Sequence, residues 1–341
     1  MLLALTREDR IRGCILAGAC GDALGAPVEF MRLVEIRARF GEDGIRDLGP
    51  GARQITDDTQ MTLFTAEGLI RANRRGRERG ISHASSIVHD SYLRWLWTQG
   101  LASRHPSFSS APGQSWLCEL PAMNAQRAPG NTCLNALMSD RMGTIKEPIN
   151  SSKGCGGVMR VSPVGLVFRG PHAFSVGAEC AAITHGHPCG YLSAGALAMV
   201  VAELMEGAEL PAAIATARAE LANWDGYEET LAALDAGVGL AKKGRPEPED
   251  LETLGGGWVG EEALAIALCA ALAANDLPDG LRLAANHSGD TDSTAAIAGS
   301  VLGAQHGVDA IPTGWLDALE LREGIERLCD ELAAEFPSSL G

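Results

Sequence analysis

The chain has 341 residues, 46% of them hydrophobic and 21% charged, which places it among globular rather than disordered proteins and leaves room for one large domain or two ordinary ones. Its formal net charge of -15 lacks the electrostatic footprint for nucleic-acid backbones or an anionic membrane surface, so any phosphate it binds must be held locally, by backbone N–H groups or a few Arg. Aromatic residues make up only 5% while Ala and Gly are abundant, which favours closely packed helices over a β-sandwich.

Met1 to Leu5 are mostly apolar, but Arg7, Glu8, Asp9 and Arg10 follow at once, too short and too charged a segment for a signal peptide. Thr6 and Asp9 form a capping-box pattern that starts a helix. Arg10 to Cys20 reads as a buried helix ending at Gly21. Thr59 to Asn73 carries Met61, Phe64, Leu69 and Ile70 at helical spacing and then meets the basic stretch Arg74 to Arg79. Ser82 to Trp97 reads as another helix with Tyr92, Leu93, Leu96 and Trp97 as core residues. Leu101 to Gln114, rich in Ser, Pro and Gly, reads as a long surface loop.

Pro129-Gly130-Asn131 breaks the chain, and Asn131 or Thr132 is placed to cap the next helix. Turn residues over Arg141 to Val158 lead into Gly154-Cys155-Gly156-Gly157. Helical patterns follow at about 173–184, 191–206 and 210–222. Lys242 to Asp250 is a charged, Pro-containing loop, and Gly255-Gly256-Gly257 turns into a helix near Glu261. The last main helix is expected over about Ser293 to Gln305, ended by Gly307. No alternating strand pattern persists, no internal repeat is found, and the chemical motifs spread over the whole length. A single domain, 1–341, is expected.

Nine cysteines, an odd number without any Cys-x-x-Cys, argue against a disulfide framework or a zinc ribbon and for reduced thiols. The longest wholly apolar run, Ala263 to Ala274, falls short of the roughly 20 residues a membrane span needs. A soluble cytoplasmic protein is expected, with no membrane or nucleic-acid partner.

Two acidic clusters carry the chemistry: Thr56-Asp57-Asp58-Thr59 and Asp290-Thr291-Asp292-Ser293-Thr294. Each precedes an apolar helical pattern, and neither contains Lys or Arg. Taken singly, each reads as a helix cap whose acids favour the N-terminal dipole. Brought together, four carboxylates without a basic partner raise one another's pKa or need cations, and an all-oxygen set of Asp, Thr and Ser suits Mg²⁺ or Mn²⁺. The pair points to a metal-dependent hydrolase.

Other patterns are excluded. Asp290-x-Asp292-x-Thr294 resembles the nucleophile motif of haloacid-dehalogenase-type phosphatases, but no strongly apolar strand precedes it. An EF-hand would need Gly and Glu where Ala295 and Val301 stand. Gly154-Cys155-Gly156-Gly157 is not a Walker A loop, since no Gly-Lys-Ser/Thr follows, yet its glycines let backbone approach a phosphate. Nothing local activates Cys155 as a thiolate nucleophile beside His185 or His187. These two His lack a nearby third zinc ligand in the sequence. Glu29, in Gly25-Ala26-Pro27-Val28-Glu29-Phe30, is a candidate carboxylate on a mobile loop.

Taken in order, several segments resemble the ADP-ribosylglycohydrolase family. They are Gly21 to Glu29, Thr56 to Thr59, Gly154 to Arg160, Thr184-His185, Gly257-Trp258-Val259 and Asn286 to Thr294, together covering about residues 10 to 307. The resemblance implies an all-α, compact orthogonal helical domain with a two-metal site at the bottom of a cleft. By the same carry-over, Thr56, Asp57, Asp58, Asp290, Asp292 and Ser293 are the expected metal-site residues. Relatives often have Thr at position 293 and Asp or Gly at position 288, where this chain has Ser288. Glu29 is the expected gating carboxylate beside the scissile bond, and Asp57, Asp58 or Glu29 are the groups to orient or deprotonate water. Gly154, Cys155, Gly156, Gly157 and Met159 are expected to cradle a diphosphate, with His185 near the ligand. The implied cofactors are two Mg²⁺ or Mn²⁺. The implied activity is release of ADP-ribose, first from ADP-ribosylated arginine on proteins. Serine-linked or small ADP-ribosyl conjugates are the alternative, and a silent ADP-ribose-binding homologue would be signalled by loss of a metal-site Asp, all four of which are present.

Overall fold

A computed structural model describes residues 5–49, 53–109, 113 and 115–337. Among them the regular structure is sixteen α-helices with a few 3-10 turns and no strand; only the isolated bridges Arg53–Leu319 and Gly154–Val259 form. The expected all-α class holds. The signal-peptide reading of residues 1–4, and positions 110–112 and 114 of the expected surface loop, lie outside the described residues.

The first helix, Arg7–Gly25, opens on the expected capping box: Thr6 Oγ1 accepts from Asp9 N–H at 3.1 Å, and Thr6 N–H donates to the Asp9 carboxylate at 3.0 Å. It does not stop at Gly21. A Cβ on Gly21 would strike the Ala295 carbonyl and one on Gly25 the Thr291 carbonyl, while Gly299 and Gly303 face Ala17 and Gly13 across the same seam. These glycines are there for close approach, not termination. They let Arg7–Gly25 pack backbone to backbone on Thr291–His306, its most extensive partner. Thr291 Oγ1 donates to the Gly25 carbonyl at 3.0 Å, tying the end of one helix to the start of the other.

Helix Asp57–Arg79 is also longer than expected. It runs through the basic stretch to Gly80, which takes the left-handed conformation (φ 73°) that suits glycine. Arg74 and Arg77 belong to the helix because Glu335 pairs with them at 3.0 and 2.8 Å. Glu335 ends Arg322–Glu335, a helix missed by placing the last main helix at 293–305. Its Ile325, Leu328 and Leu332 are buried on one face, each worth roughly 1.5–3 kcal/mol. The short helices Leu33–Phe40, Ser162–Val167, Leu277–Ala285 and Thr313–Ala318, the longer Glu228–Ala241, and the single turn Pro248–Leu251 at the end of the expected Lys242 to Asp250 loop are also not expected from the sequence.

The remaining helices fall close to expectation: Ala84–Thr98, Asn131–Leu137, Gly170–Ala182, Leu210–Leu221, Gly260–Ala273 and Thr291–His306, the last followed by Gly307 at φ 78°. Gly130, not Asn131 or Thr132, stands at the N-cap of Asn131–Leu137. By length and composition Pro188–Met205 is apolar enough to cross a bilayer, although Ser193 and Glu203 interrupt its apolar run; 83% of it is buried inside the protein. One apolar core runs from Ile11 to Leu332, so both ends of the chain contribute to it.

Candidate active site

The seam between Arg7–Gly25 and Thr291–His306 assembles the acids. Thr56 is the N-cap of Asp57–Arg79, its hydroxyl accepting from Asp58 N–H at 3.3 Å. Asp290 is the N-cap of Thr291–His306, its carboxylate accepting from Ser293 N–H at 3.4 Å. The capping readings are therefore correct, but incomplete. Caps are normally exposed, whereas Thr56, Asp57, Asp58, Asp290, Asp292 and Ser293 are all buried. Asp57, Asp58, Asp290, Asp292 and Ser293 line one cleft of about 370 Å³ with Glu29, Gly154, Cys155, Gly156, Met159 and His185. Thr56 and Gly157 are not on the cleft wall. Thr56 stands behind Asp58, and Gly157 packs beneath the glycine loop against Ala181 and Gly190.

Asp22 falls within the Gly21 to Glu29 segment, and the structure gives it a role. It is fully buried on Arg7–Gly25 and accepts from Thr56 N–H at 2.9 and 3.1 Å, from Thr59 N–H at 3.1 Å and from the Thr59 hydroxyl. One carboxylate thus takes up orphan donors at the start of Asp57–Arg79 and fixes where Asp57 and Asp58 point. An acid in a helix without a nearby Lys or Arg was its only sequence signal. On the far wall, Gly130 N–H donates to Asp57 at 3.2 Å, so the 128–133 segment also borders the cleft.

Glu29 lies in a turn that continues the first helix: its N–H and that of Val28 both bond to the Gly25 carbonyl, at 3.0 and 2.9 Å. Carboxylate oxygens of Glu29, Asp290 and Asp292 come within 4.8 Å of one another. Phe30, with φ 66°, is 67% exposed and stacks on Trp258, 42% exposed, at a centroid distance of 5.2 Å. This aromatic pair at the cleft mouth was not foreseen.

The electrostatics follow from burial. Desolvation first, then Asp292, Asp290 and Asp57, push Glu29 up to about 10. Desolvation, then Asp292, push Asp22 to about 7 against the lowering effect of its Thr59 and Thr56 hydrogen bonds. Asp57, Asp58 and Asp290 are pushed well above the usual carboxylate range, and Asp292 upward, in each case mainly by burial. Among the described residues no Lys or Arg forms an ion pair with these groups. Asp58 Oδ1 is buried without any hydrogen-bond partner. Such a cluster must hold protons or cations, and its oxygen donors are those that hold Mg²⁺ or Mn²⁺.

The glycine loop forms the floor. Cys155–Gly157 is a 3-10 turn whose leading N–H groups have no partner within it. Cys155 N–H bonds instead to the Trp258 carbonyl at 3.1 Å, which joins the loop to the aromatic pair. The Cys155 thiol donates to Asp290 at 2.8 Å and is pushed well up, first by burial and then by Asp290, so it stays a thiol. This agrees with rejecting it as a nucleophile. His185 lies against the loop, its Nδ1 2.8 Å from the Thr184 hydroxyl. His187 does not join the cleft. Ligand atoms of His187, Cys189 and Glu229 lie within 4.8 Å of one another; Cys189 is two residues on from His187, and only Glu229 is distant in sequence. His187 Nδ1 caps Pro188–Met205, however, and Glu229 is ion-paired with Lys153.

With this geometry in view, comparison is decisive: the chain matches the ADP-ribosylglycohydrolase family over residues 3–340. It belongs to that family. Among similar ADP-ribosylglycohydrolases is the ADP-ribosyl-[dinitrogen reductase] glycohydrolase of Rhodospirillum rubrum, 29% identical, with 96% of each chain aligned. The ADP-ribosylarginine hydrolase Tri1 of Pseudomonas putida is 26% identical over 96% of this chain and 79% of its own. A solved structure described as an ADP-ribosylglycohydrolase-related protein complex superposes with a TM-score of 0.64 at 27% identity, covering 96% of this chain and 98% of its own. As a member of this family the chain is an ADP-ribosyl hydrolase, and the fold and family expected from its motifs hold.

Proposed function

We propose that this ADP-ribosylglycohydrolase cleaves the N-glycosidic bond between ADP-ribose and an arginine side chain of a protein, with two divalent cations, Mg²⁺ or Mn²⁺, in the acidic cleft. The observation that carries the reading is the buried carboxylate cluster without a basic partner, in which Asp58 Oδ1 has no partner at all. The arginine linkage is supported by relatives named ADP-ribosylarginine hydrolase.

In this reading Asp57, Asp58, Asp290 and Asp292, with the hydroxyl of Ser293, hold the cations, while Thr56, off the cleft wall, caps the helix that presents Asp57 and Asp58. When bound, they would supply Lewis-acid charge against negative charge developing on oxygen. With Gly154 N–H bonded to Ser152 and Cys155 N–H to Trp258, the glycine loop offers the Gly156 N–H to the diphosphate and fixes the sugar against the acids. Glu29 stands beside the scissile bond, where its carboxylate orients water and stabilises an oxocarbenium-like transition state, with Asp57 and Asp58 as further carboxylates for that task. An acidic surface and nine unpaired thiols fit work in a reducing cytoplasm.

The test is release of free ADP-ribose from arginine-, serine- and acetyl-linked substrates, each with Mg²⁺ or Mn²⁺ and after EDTA. The reading expects the arginine substrate to be turned over fastest and EDTA to abolish turnover. Preference for serine or acetyl linkage would move the substrate class, and full activity in rigorously cation-free protein would remove the metals.

A further inference from the structure

Arg160 is fully buried and, among the described residues, no carboxylate pairs with it. Its guanidinium lies 4.3 Å from the centroid of the Tyr92 ring. Nη2 donates to Thr184 Oγ1 at 2.7 Å and to the Cys180 carbonyl at 3.4 Å. Nη1 faces the sulfurs of Cys133 and Met61 at 3.3 and 3.4 Å, and Nε has no partner. A guanidinium buried without an anion is costly, so a chain that keeps one has a use for its charge. The neighbouring Met159 and Cys133 both line the cleft. Arg160 therefore sits one layer beneath the glycine loop, a fixed cation under a cleft whose charged lining residues are all acids.

The hydrogen bonds carry that charge to the cleft. Arg160 can only donate, so Thr184 Oγ1 accepts from it. The single Thr184 hydroxyl hydrogen then has two acceptors in range: the Ala181 carbonyl at 3.5 Å, at the limit of a hydrogen bond, and His185 Nδ1 at 2.8 Å. The shorter contact favours donation to Nδ1, an arrangement that puts the imidazole hydrogen on Nε2. Burial first, then Arg160, push His185 down to about 3, which keeps the ring neutral. Its Nε2 edge faces the cradle. A Cβ on Gly154 would stand 3.1 Å from Nε2, and one on Gly156 would stand 3.0 Å from Cε1 and 3.3 Å from Nε2. Only glycine at these positions leaves that N–H open.

We propose that Arg160, acting through Thr184, is a positioning residue that fixes His185 as an Nε2–H donor and aims that donor, backed by a permanent positive charge, at the diphosphate of ADP-ribose. The ligand named here rests on the ADP-ribose reading above; the relay itself does not.

The test uses the full chain and the variants Thr184→Val, Thr184→Ser and Arg160→Met. The His185 tautomer is read from imidazole ¹⁵N shifts in unliganded protein, and binding of ADP-ribose and inorganic pyrophosphate is read by calorimetry. Wild type should show Nε2–H, and Thr184→Ser should match it. Thr184→Val should lose the single tautomer and weaken both ligands by about tenfold, the size expected for a hydrogen bond to a charged group. Arg160→Met should do the same, and if it does not fold, the two Thr184 variants decide. Thr184→Val with the wild-type tautomer would overturn the proposal, whatever its affinity. So would a changed tautomer with unchanged affinity for both ligands. Failure of wild-type protein to bind ADP-ribose would count against the functional reading, while the tautomer in free protein still decides the relay.

Discussion

The carboxylate of Asp22 accepts the backbone N–H of Thr56 at 2.9 and 3.1 Å, so a residue in the last turns of the first helix holds the start of the helix that presents Asp57 and Asp58. Asp22 is buried, takes three donors and points away from solvent. Its part in the site is to place other acids.

Asp22→Asn tests this. The amide keeps the volume but turns one oxygen into a donor, opposite groups that themselves donate. About 1–3 kcal/mol of stability should be lost. Turnover should fall more than tenfold as Asp57 and Asp58 lose their fixed direction, since small misplacements are costly in catalysis. Thermal unfolding and steady-state kinetics measure both; a variant matching wild type in each would make the anchor irrelevant.

A pH dependence follows from the raised acids. Asp22 goes from the usual 3.8 to about 7, and Glu29 from 4.5 to about 10. An acid whose folded pKa is raised binds more protons folded than unfolded, so its contribution is full below the unfolded value and is lost as pH rises through the folded one. Cation-free protein should therefore lose stability steadily from about pH 5 to about pH 9. In the proposed reading divalent cations take the place of the protons, so the rise in Tm on adding Mn²⁺ should be larger at the alkaline end. Melting curves in EDTA and in excess Mn²⁺ across that range give the answer. An equal Mn²⁺ effect at both ends would mean that the cluster is not where the cation binds.

The two acid clusters, the glycine loop and the Thr6–Asp9 box were legible because each is a local pattern with a local reason. Their meeting in one cleft was legible only through the ordered family motifs. What was hidden depended on distant partners. Gly21 looks like a helix stop until Ala295 is packed against it, and Arg74 to Arg79 look like a solvated tail until Glu335 is placed beside them. Arg160 closes a motif and would be assigned to solvent; only Tyr92 and Thr184, each distant in sequence, make it a buried cation. Asp22 was hidden for the same reason.

The Phe30–Trp258 stack is expected to act on substrate capture rather than on chemistry. Both rings are exposed, and Phe30 is held at φ 66°, which non-glycine residues adopt rarely. The stack spans the mouth between the Glu29 turn and the carbonyl that anchors the glycine loop. Phe30→Ala and Trp258→Ala should each raise KM for a protein-linked substrate several-fold, leave kcat nearly unchanged and cost about 1 kcal/mol or less in stability. A lowered kcat at constant KM would place the pair in the chemical step instead.

Glu29→Gln separates catalysis from cation binding. The Glu29 carboxylate lies within 4.8 Å of oxygens on both Asp290 and Asp292, close enough to join the ligand set, yet it comes from a turn rather than from either capped helix and is only half-buried. Gln keeps the size of the side chain and removes its charge. If Glu29 works beside the scissile bond, turnover should drop by about two to four orders of magnitude, the usual worth of a general acid or base. Affinity for ADP-ribose and the bound-metal content should stay near wild type. Asp292→Ala should behave differently: it removes a buried carboxylate that the proposed reading makes a ligand, so bound metal should fall with turnover. Metal content by elemental analysis, set beside single-turnover rates, distinguishes the two. Loss of metal in Glu29→Gln would make Glu29 a ligand, and wild-type turnover would shift the task to Asp57 or Asp58.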